Sequence, residues 1–242
     1  MRKYEYFSFI KVTLKKILNY FGWRIIKINY NRKIEGENQN PEYVKCLMNC
    51  SGILHVGAHR GMEGPIYNWF NKKVLWIEAN PKIYEELKIN ISHFRDQKAF
   101  NYLITDKDNS YYDFNISSND AASSSIFNFG EEHKNYNNKK FDMIDKINIK
   151  SITLENFFFK HQINYKDYNF WIIDVQGAEL MVLKGAKNTI KNCDFIYLEI
   201  SKKEFYKNGV LFQELNNWLV NSGFKKVWEP TSNHTNVLFK RI

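Results

Sequence analysis

The sequence is poor in cysteine and proline, and each scarcity excludes a class of protein. The 3 cysteines (Cys46, Cys50 and Cys193) are too few for a disulfide framework in 242 residues, and no further metal ligand stands near Cys46 and Cys50. The 4 prolines come without a linker rich in Ser, Pro or Gly, and the chain has no internal repeat. We therefore expect buried cysteines, a reducing and hence cytoplasmic location, and one main domain.

A long apolar run is also missing. No segment approaches the roughly 20 residues of a transmembrane helix, and Lys11 interrupts any signal-peptide core. Residues 1–33 hold nine Lys or Arg and one acid, so they account for nearly all of the net charge of +9. We predict a basic amphipathic helical extension over residues 1–42 and an α/β domain over 43–242. The extension either packs on the domain or makes peripheral membrane contact through residues 1–33, and both alternatives stay open.

Apolar and amphipathic segments alternate along the rest of the chain. Such alternation predicts an α/β fold with a mostly parallel sheet and helices on both faces. The predicted parallel strands are residues 52–56, 73–79, 99–105, 170–175 and 195–201. The predicted helices are residues 62–70, 80–94, 153–163, 177–192 and 210–223, with Asn80 as N-cap and Pro81 in the first turn. The strands 224–230 and 235–242 follow each other without a helix, which predicts an antiparallel C-terminal hairpin and seven strands in all.

Two further segments are polar. Residues 109–117 alternate in the manner of an antiparallel edge strand. Residues 117–145 are rich in Ser, Asn, Asp and Lys, which predicts a long surface loop.

Two glycines follow the first predicted strand, in the stretch ILHVGAHRG at residues 53–61. Gly57 and Gly61 allow a tight turn and a close approach of backbone to a ligand. Neither the dinucleotide spacing G-x-G-x-x-G nor a phosphate loop is present, which argues against a pyrophosphate ligand. Glu78 ends the next strand, where a carboxylate can accept hydrogen bonds from both ribose hydroxyls. The pattern indicates a nucleoside without phosphates, and S-adenosylmethionine fits that description.

The histidines beside these glycines also raise the possibility of a metal site. His55 and His59 straddle a strand end and a turn, so they do not share a helix face as paired zinc ligands do. We therefore predict no metal ligand among them.

The most specific stretch is IDVQGAELMVLKGA at residues 173–186. It resembles the signature Asp-Val-x-Gly-x-Glu-x-x-Val-Leu-x-Gly-Ala of the FkbM family of S-adenosylmethionine-dependent methyltransferases. HVGAHRG, IEANP, SSSIFNF, ITLENFF and LEIS follow the order of the family's other segments. The resemblance implies the Rossmann-like fold of class I methyltransferases. The chain departs from the class I pattern at His55, where an acid is usual, and at His59, where glycine is usual.

The resemblance also implies which residues contact the cofactor. They are His55, Gly57, Ala58, His59, Gly61, Glu78, Ala79, Asp106, Ser124 and Asp174. Methyl transfer to a hydroxyl usually needs a base, and Asp174, Glu199 and His234 are the candidate catalytic residues. Glu179 is either a site residue or an acid that stabilises the N-terminus of its helix.

Three alternatives remain for the activity. The leading one is O-methylation of a small molecule, either a sugar or glycan or a polyketide-like acceptor. Asp174 and Glu199 could instead hold a magnesium ion, which is the less favoured chemistry. A non-catalytic scaffold or regulator that binds the cofactor is the alternative from another class. A nucleic-acid substrate is not expected, because the domain is nearly neutral and carries no Asn-Pro-Pro-Tyr motif.

Overall fold

A seven-stranded sheet lies at the centre of the protein, which the computed structural model describes over residues 40–134 and 141–242. The strands in chain order are β1 (Gly52–Val56), β2 (Lys73–Glu78), β3 (Gln97–Asn101), β4 (Leu103–Ile104), β5 (Tyr111–Ser117), β6 (Met143–Ile152), β7 (Phe170–Ile173), β8 (Phe195–Ser201), β9 (Phe224–Lys226) and β10 (His234–Arg241). The helices are α1 (Pro41–Asn49), α2 (Gly64–Trp69), α3 (Pro81–Ile91), α4 (Glu131–Lys134), α5 (Leu154–Lys160), α6 (Glu179–Lys184) and α7 (Phe212–Asn221).

The strand order of the large sheet is β3-β2-β1-β7-β8-β10-β9. β1 pairs in parallel with β2 and with β7, and β10 pairs antiparallel with β8 and with β9. The predicted fold class, a mostly parallel sheet with an antiparallel C-terminal pair, is confirmed. From β1 to β3 the chain adds strands on one side of β1, and from β7 onward it adds them on the other side, so the strand order reverses between β1 and β7. Sheets of this kind bind ligands in the crevice at the carboxyl ends of the two strands where the order reverses.

Helices cover both faces of this sheet, so its central strands are buried on both sides. One face packs against α5, α6 and α7 through residues such as Phe157, Val182 and Leu219. The other face packs against α1, α2 and α3, and Tyr67 and Leu87 are fully buried there. Every residue of β1 is buried as a result. This packing gives the loops after β1, β2 and β7 a rigid base.

The ends of the helices follow the local signals in the sequence. The side chain of Asn80 accepts a hydrogen bond from the amide of Lys82, and Pro81 stands in the first turn of α3, as predicted. Gly223 follows α7 with a φ of 85°, the left-handed conformation that commonly ends a helix.

A second, three-stranded sheet is the main departure from the sequence-based expectation. Its order is β4-β6-β5, with β5 antiparallel and β4 parallel to β6. The predicted strand at residues 99–105 is therefore wrong in extent, because it is divided between two sheets. The prediction of an antiparallel strand at 109–117 is confirmed, but the surface loop predicted for 117–145 is wrong in part. β6 starts inside it, and Ser117, Ser124 and Ser125 are buried.

Two helices also differ from the expectation. The helix predicted over residues 177–192 ends at Lys184, and a 3₁₀ turn follows at Thr189–Asn192. A Cβ on Gly185 would lie 2.2 Å from the carbonyl oxygen of Thr105, so this close crossing of chains requires glycine. Helix α1 was not predicted, although its buried Tyr43 and Leu47 belong to the core.

Several predictions concern the N-terminal residues. The extension at 1–42, its membrane contact through 1–33 and its boundary with the domain involve residues 1–39, which lie outside the described residues, and they stay predictions. Within the described residues, no helix combines the length and the apolar character needed to cross a bilayer. Cys46, Cys50 and Cys193 are free and buried, as predicted.

Candidate active site

The turn after β1 places backbone close to β7. Gly57 has a φ of 81°, and its amide donates to the carbonyl of Ile77 at 2.9 Å. A Cβ on Gly57 would lie 1.7 Å from the carbonyl oxygen of Asp174. Glycine is therefore required at position 57 both for the left-handed backbone and for the close approach of the two chains.

Gly57→Ala is expected to destabilise the protein more than Gly223→Ala does. Gly223 has a similar φ of 85°, but a Cβ there would meet only the Arg241 side chain at 3.6 Å. The control therefore isolates the left-handed penalty of about 1–2 kcal/mol, to which the clash at position 57 adds about 1–3 kcal/mol. Chemical denaturation of the two variants measures both free energies of unfolding. Equal losses would show that the turn relaxes and that the contact with Asp174 is not essential.

Glu78 ends β2 with both carboxylate oxygens held by backbone amides. Oε2 accepts from the amide of His59 and Oε1 from the amide of Asn80, each at 2.8 Å. The side chain is buried, and burial raises the pKa of Glu78 while the two amide hydrogen bonds act in the opposite direction. The amides thus orient the carboxylate and leave further lone pairs for a ligand.

A cavity of about 260 Å³, the Glu78 cavity, lies beside this carboxylate at the ends of β1, β2 and β7. Its apolar walls include Ile77, Leu103, Ile104, Phe114 and Ile126. An apolar slot with one oriented carboxylate suits a flat purine whose ribose diol donates hydrogen bonds. The residues present therefore fit an adenosyl cofactor.

The structure separates the predicted cofactor-binding residues into two groups. Those that line the Glu78 cavity are Gly57, His59, Glu78, Ala79, Ser124 and Asp174. Those outside its lining are His55, Ala58, Gly61 and Asp106. Ala58 and Gly61 shape the turn from behind, since a Cβ on Gly61 would meet Leu87 at 2.5 Å.

His55 lies on the opposite side of the sheet from the cavity. Its Nδ1 is 3.4 Å from the hydroxyl of Tyr67, and its ring stacks on Trp76 with centroids 4.9 Å apart. Burial lowers the pKa of His55, so the ring is neutral. The prediction that this residue is hydrogen-bonded holds, but its position beneath the cofactor is corrected, because neighbouring residues of a strand point to opposite faces.

Asp106 also lies away from the Glu78 cavity, contrary to the expectation of an adenine contact. It follows Thr105, which packs against Gly185, and its Oδ1 is buried without a hydrogen-bond partner among the residues that the structure describes. Tyr102, Leu103 and Ile104 line the cavity in its place.

A second cavity, the Glu199 cavity, has a volume of about 330 Å³. Asp174, Gln176 and Glu199 line it together with aromatic rings. The rings are those of His133, Phe141, Phe205, Tyr206 and His234. Among the described residues, its lining includes two carboxylates and neither lysine nor arginine. Asp174, Gln176 and Ala122 line both cavities, so the two spaces adjoin at these residues.

The segment 119–124, which contains the predicted cofactor contact Ser124, contributes residues to both cavities. Arg60 holds it in place, with Nη2 donating to Asp120 Oδ1 at 2.9 Å and Nε donating to Glu86 at 2.5 Å. Asp120 and Ala121 adopt left-handed φ values of 63° and 61°, which are uncommon outside glycine. Ala122 faces both cavities as a consequence.

The predicted catalytic acids are close together and share one partner. Gln176 Nε2 donates to Asp174 Oδ1 and, at 2.9 Å, to Glu199 Oε2. Burial and the neighbouring charge of Glu199 raise the pKa of Asp174 well above its usual range. The amide nitrogen occupies the bridging position that a metal ion between the two acids would need. The described residues contain no cluster of three or more His, Cys, Asp or Glu arranged to hold a metal ion.

His234 lines the Glu199 cavity, but both of its ring nitrogens have partners. Nε2 lies 3.0 Å from Glu199 Oε1, and Nδ1 lies 2.9 Å from the hydroxyl of Ser201. The ring also stacks on Phe205 at 4.2 Å. The structure thus brings His234 to Glu199, and its catalytic role stays a prediction.

Glu179 lines neither cavity. Its Oε1 accepts from the amides of Gly177 at 3.0 Å and Val175 at 3.3 Å, so it holds the loop that follows β7. Burial raises the pKa of Glu179 to about 7.

Sequence reasoning did not single out Gln176, Tyr206 or His133 as individual site residues. Gln176 stands at a variable position of the signature, and its place between two acids depends on β8, twenty-odd residues later. The other two come from segments without a catalytic pattern. The polar composition of residues 117–145, which include His133, could be seen in the sequence. No local sequence pattern, however, related His133 or Tyr206 to Asp174.

Comparisons with known proteins show the family of the chain. The family model described as the methyltransferase FkbM domain matches residues 55–226. No curated protein matches the chain.

Solved structures of methyltransferases have a similar but distant fold. A SAM-dependent methyltransferase from Aquifex aeolicus is 12% identical, with 84% of this chain and 90% of that one covered and a TM-score of 0.43. A TehB-like SAM-dependent methyltransferase from Corynebacterium glutamicum is 12% identical, with 98% and 100% covered and a TM-score of 0.42. Magnesium protoporphyrin IX methyltransferase from Synechocystis, with bound SAM, is 6% identical, with 82% and 74% covered and a TM-score of 0.43.

Proposed function

The chain belongs to the FkbM family of S-adenosylmethionine-dependent methyltransferases, and on this premise we propose that it methylates a hydroxyl of a small, neutral molecule such as a sugar or a glycan residue. The observation that carries the proposal is the position of Asp174, which lines both the Glu78 cavity and the Glu199 cavity. A transferred group must pass from one cavity to the other, and this carboxylate stands where they adjoin.

The Glu78 cavity is the proposed cofactor site. Glu78 accepts the ribose hydroxyls, Gly57 lets the backbone approach the cofactor, and the apolar walls hold the purine. When bound, S-adenosylmethionine supplies an electrophilic methyl group whose bond to sulfur breaks with the electron pair leaving on sulfur.

The Glu199 cavity is the proposed acceptor site. Asp174 takes the proton that the acceptor hydroxyl loses as its oxygen forms the new bond to the methyl carbon. Glu199, oriented by His234, accepts a hydrogen bond from the acceptor and so aligns it, and alignment alone contributes about 7–11 kcal/mol to such reactions. The raised pKa of Asp174 makes this carboxylate a stronger base than an exposed aspartate.

The size and charge of the Glu199 cavity support the class of acceptor. Its volume of about 330 Å³ is near the lower limit for small-molecule pockets, which suits a single ring. Asp174 and Glu199 disfavour an anionic group, and the part of the lining that the structure describes adds no lysine or arginine to offset them. Aromatic rings offer apolar faces to the carbon skeleton of a sugar, while the acids accept its hydroxyls.

Neutral sugars are expected to be methylated at least tenfold faster than matched uronic acids or sugar phosphates. Burying an acceptor anion beside Asp174 and Glu199 without a cationic partner is unfavourable, and about 1.4 kcal/mol of repulsion already gives this tenfold ratio. Mass spectrometry of a sugar and glycan panel, incubated with the protein and S-adenosylmethionine, measures the gain of one methylene. Reactions without cofactor provide the control. Faster methylation of the anionic members would overturn the assignment of acceptor charge.

The methylation panel, combined with a binding measurement, distinguishes an enzyme from a non-catalytic scaffold. Calorimetry with S-adenosylhomocysteine measures cofactor binding independently of turnover. Binding without methylation of any hydroxyl acceptor would favour the scaffold or regulator over the enzyme. Absence of binding to folded protein would reject both.

A further inference from the structure

The side-chain amide of Gln176 connects the two acids of the proposed active site. A primary amide has two N–H donors, and Gln176 Nε2 directs them to Asp174 Oδ1 and Glu199 Oε2. The second oxygen of Asp174, Oδ2, has no hydrogen-bond partner among the described residues. One oxygen of Asp174 is therefore held, and the other is left to face the cavities.

Tyr206 holds the other end of this amide. Its hydroxyl donates to Gln176 Oε1. Burial raises the pKa of Tyr206 well above its usual value, so the phenol stays protonated and remains a donor. A reversed amide would direct its carbonyl oxygen at two carboxylates, which is repulsive, and would lose the hydrogen bond that the phenol donates to Oε1.

The backbone of Gln176 is held in an unusual conformation. Its φ is 56°, in the left-handed region that residues other than glycine rarely occupy. The hydroxyl of Ser125 donates to the Gln176 carbonyl at 2.7 Å, and Gly177 follows with a φ of 99°. Such outliers persist where the surrounding structure imposes them, and they cluster at functional sites.

The charges around Asp174 explain why donors are needed there. The titratable groups near it from the packed elements are Glu199 on β8, Glu179 on α6, Glu63 before α2, His133 on α4, Tyr206 after β8 and His234 on β10. The carboxylates among them oppose ionisation of Asp174. Gln176 is the group whose hydrogen bond to Asp174 favours the ionised form.

We propose that Gln176 is a positioning residue for methyl transfer, which holds Asp174 and Glu199 as an oriented pair and keeps Asp174 able to accept a proton beside a second carboxylate. This inference rests on the proposed function for its catalytic meaning. The effect of Gln176 on the ionisation of Asp174 does not depend on the acceptor and can be measured on the protein alone.

The test compares the melting temperatures of Gln176→Met and the parent protein as a function of pH. Asp174 has a pKa raised above its ordinary value of 3.8, so its contribution to stability is fully present below about pH 4 and is lost as pH rises through the pKa in the folded protein. Loss of the Gln176 donors raises that pKa further. The gap in melting temperature between the two proteins is therefore expected to widen as pH rises through the pKa of Asp174 in the folded parent protein, by roughly 3–5 °C for each tenfold loss of acidity that the substitution causes.

Gln213→Met is the matched control, because Gln213 is exposed on α7 and bonds only Asn217. The difference in melting temperature between Gln213→Met and the parent protein should stay constant with pH. A constant gap for Gln176→Met as well would show that Gln176 only packs, and would overturn the inference. Should Gln176→Met fail to fold, Tyr206→Phe provides a second test. It removes the donor to Gln176 Oε1, so the amide is held less firmly against the two acids and the gap is expected to widen in the same direction; a constant gap would overturn the inference.

A kinetic measurement connects the pair to catalysis. With S-adenosylmethionine and the neutral sugar panel, the rate of methyl transfer by Gln176→Met is expected to rise at higher pH than for the parent protein, because a less acidic Asp174 is ionised later. An unchanged pH profile in an active parent protein would reject the positioning role alone. Absence of methylation by the parent protein would reject the proposed function and leave the melting experiment as the test of the acid pair.

Discussion

Replacing Asp174 with asparagine is expected to lower kcat for methyl transfer by roughly 10²–10⁴-fold, the usual contribution of a general base. The asparagine keeps the oxygen that accepts from Gln176 but presents NH₂ in place of Oδ2, so it cannot take a proton. The backbone carbonyl of residue 174, which lies against Gly57, is unchanged. The loss should therefore appear in kcat and leave the affinity for S-adenosylhomocysteine within a few-fold.

The measurement is methyl transfer to the neutral sugar panel, with calorimetry of S-adenosylhomocysteine on the same preparations. Asp113→Asn serves as control, because Asp113 is an exposed residue of β5 whose partners are Lys146 and Asn148. Full activity of Asp174→Asn would show that the acceptor loses its proton elsewhere, and Glu199→Gln would then be the variant to examine.

Glu78→Gln is expected to weaken S-adenosylhomocysteine binding by roughly 10–100-fold, since hydrogen bonds to a charged group contribute about 1.5–3 kcal/mol. Each oxygen of Glu78 accepts one backbone amide, from His59 or from Asn80. A glutamine must direct its NH₂ at one of these amides, so it loses an acceptor for the backbone and one for the ribose diol. The change alters the turn as well as the direct contact.

Calorimetry measures the affinity, and thermal melting without ligand reports separately on stability. Glu85→Gln on the exposed side of α3 is the matched control, since Glu85 contacts only Lys88 there. Unchanged affinity in Glu78→Gln would remove Glu78 from the cofactor site and require another acceptor for the ribose.

The parts of the fold that could be predicted from the sequence are those specified by local pattern. Short apolar strands alternate with amphipathic helices, and a strand buried on both faces has a recognisable composition. Asn80 and Pro81 begin α3 because an N-cap and a first-turn proline act within one turn of chain. The glycines of the turn at 57–61 are needed by backbone geometry at the same positions.

The second sheet was missed because its strands are half-exposed. β6 alternates Ile147 and Ile149 with polar residues, a signal that is present but short, and its partner β5 precedes it by a segment that contains the buried Ser125. A polar composition alone predicted a loop there. Pairing with β5 and β4 overrides that local preference.

The site was predicted in part for the same reason. Glu78 and Asp174 end strands, and parallel strands bring their carboxyl ends to one edge of a sheet, so their proximity followed from the pattern. His55 was placed beneath the cofactor, but the pleat of β1 turns its side chain to the opposite face against Trp76. Asp106 follows a strand as well, yet the crossing of Thr105 over Gly185 carries it away from the cavity.

The amino-acid sequence by itself determined the α/β class, the glycine turn and the positions of Glu78 and Asp174 at strand ends, because periodicity, backbone freedom and strand ends are properties of neighbouring residues. Only the tertiary structure decided that Gln176 bridges Asp174 and Glu199. It also decided that Tyr206 donates to the amide oxygen of Gln176 and that His234 contacts Glu199. Those contacts join β7, β8, β10 and the loop after β8. Hydrogen-bond partners at this distance along the chain depend on how strands pair, and strand pairing is settled by the packing of the whole core.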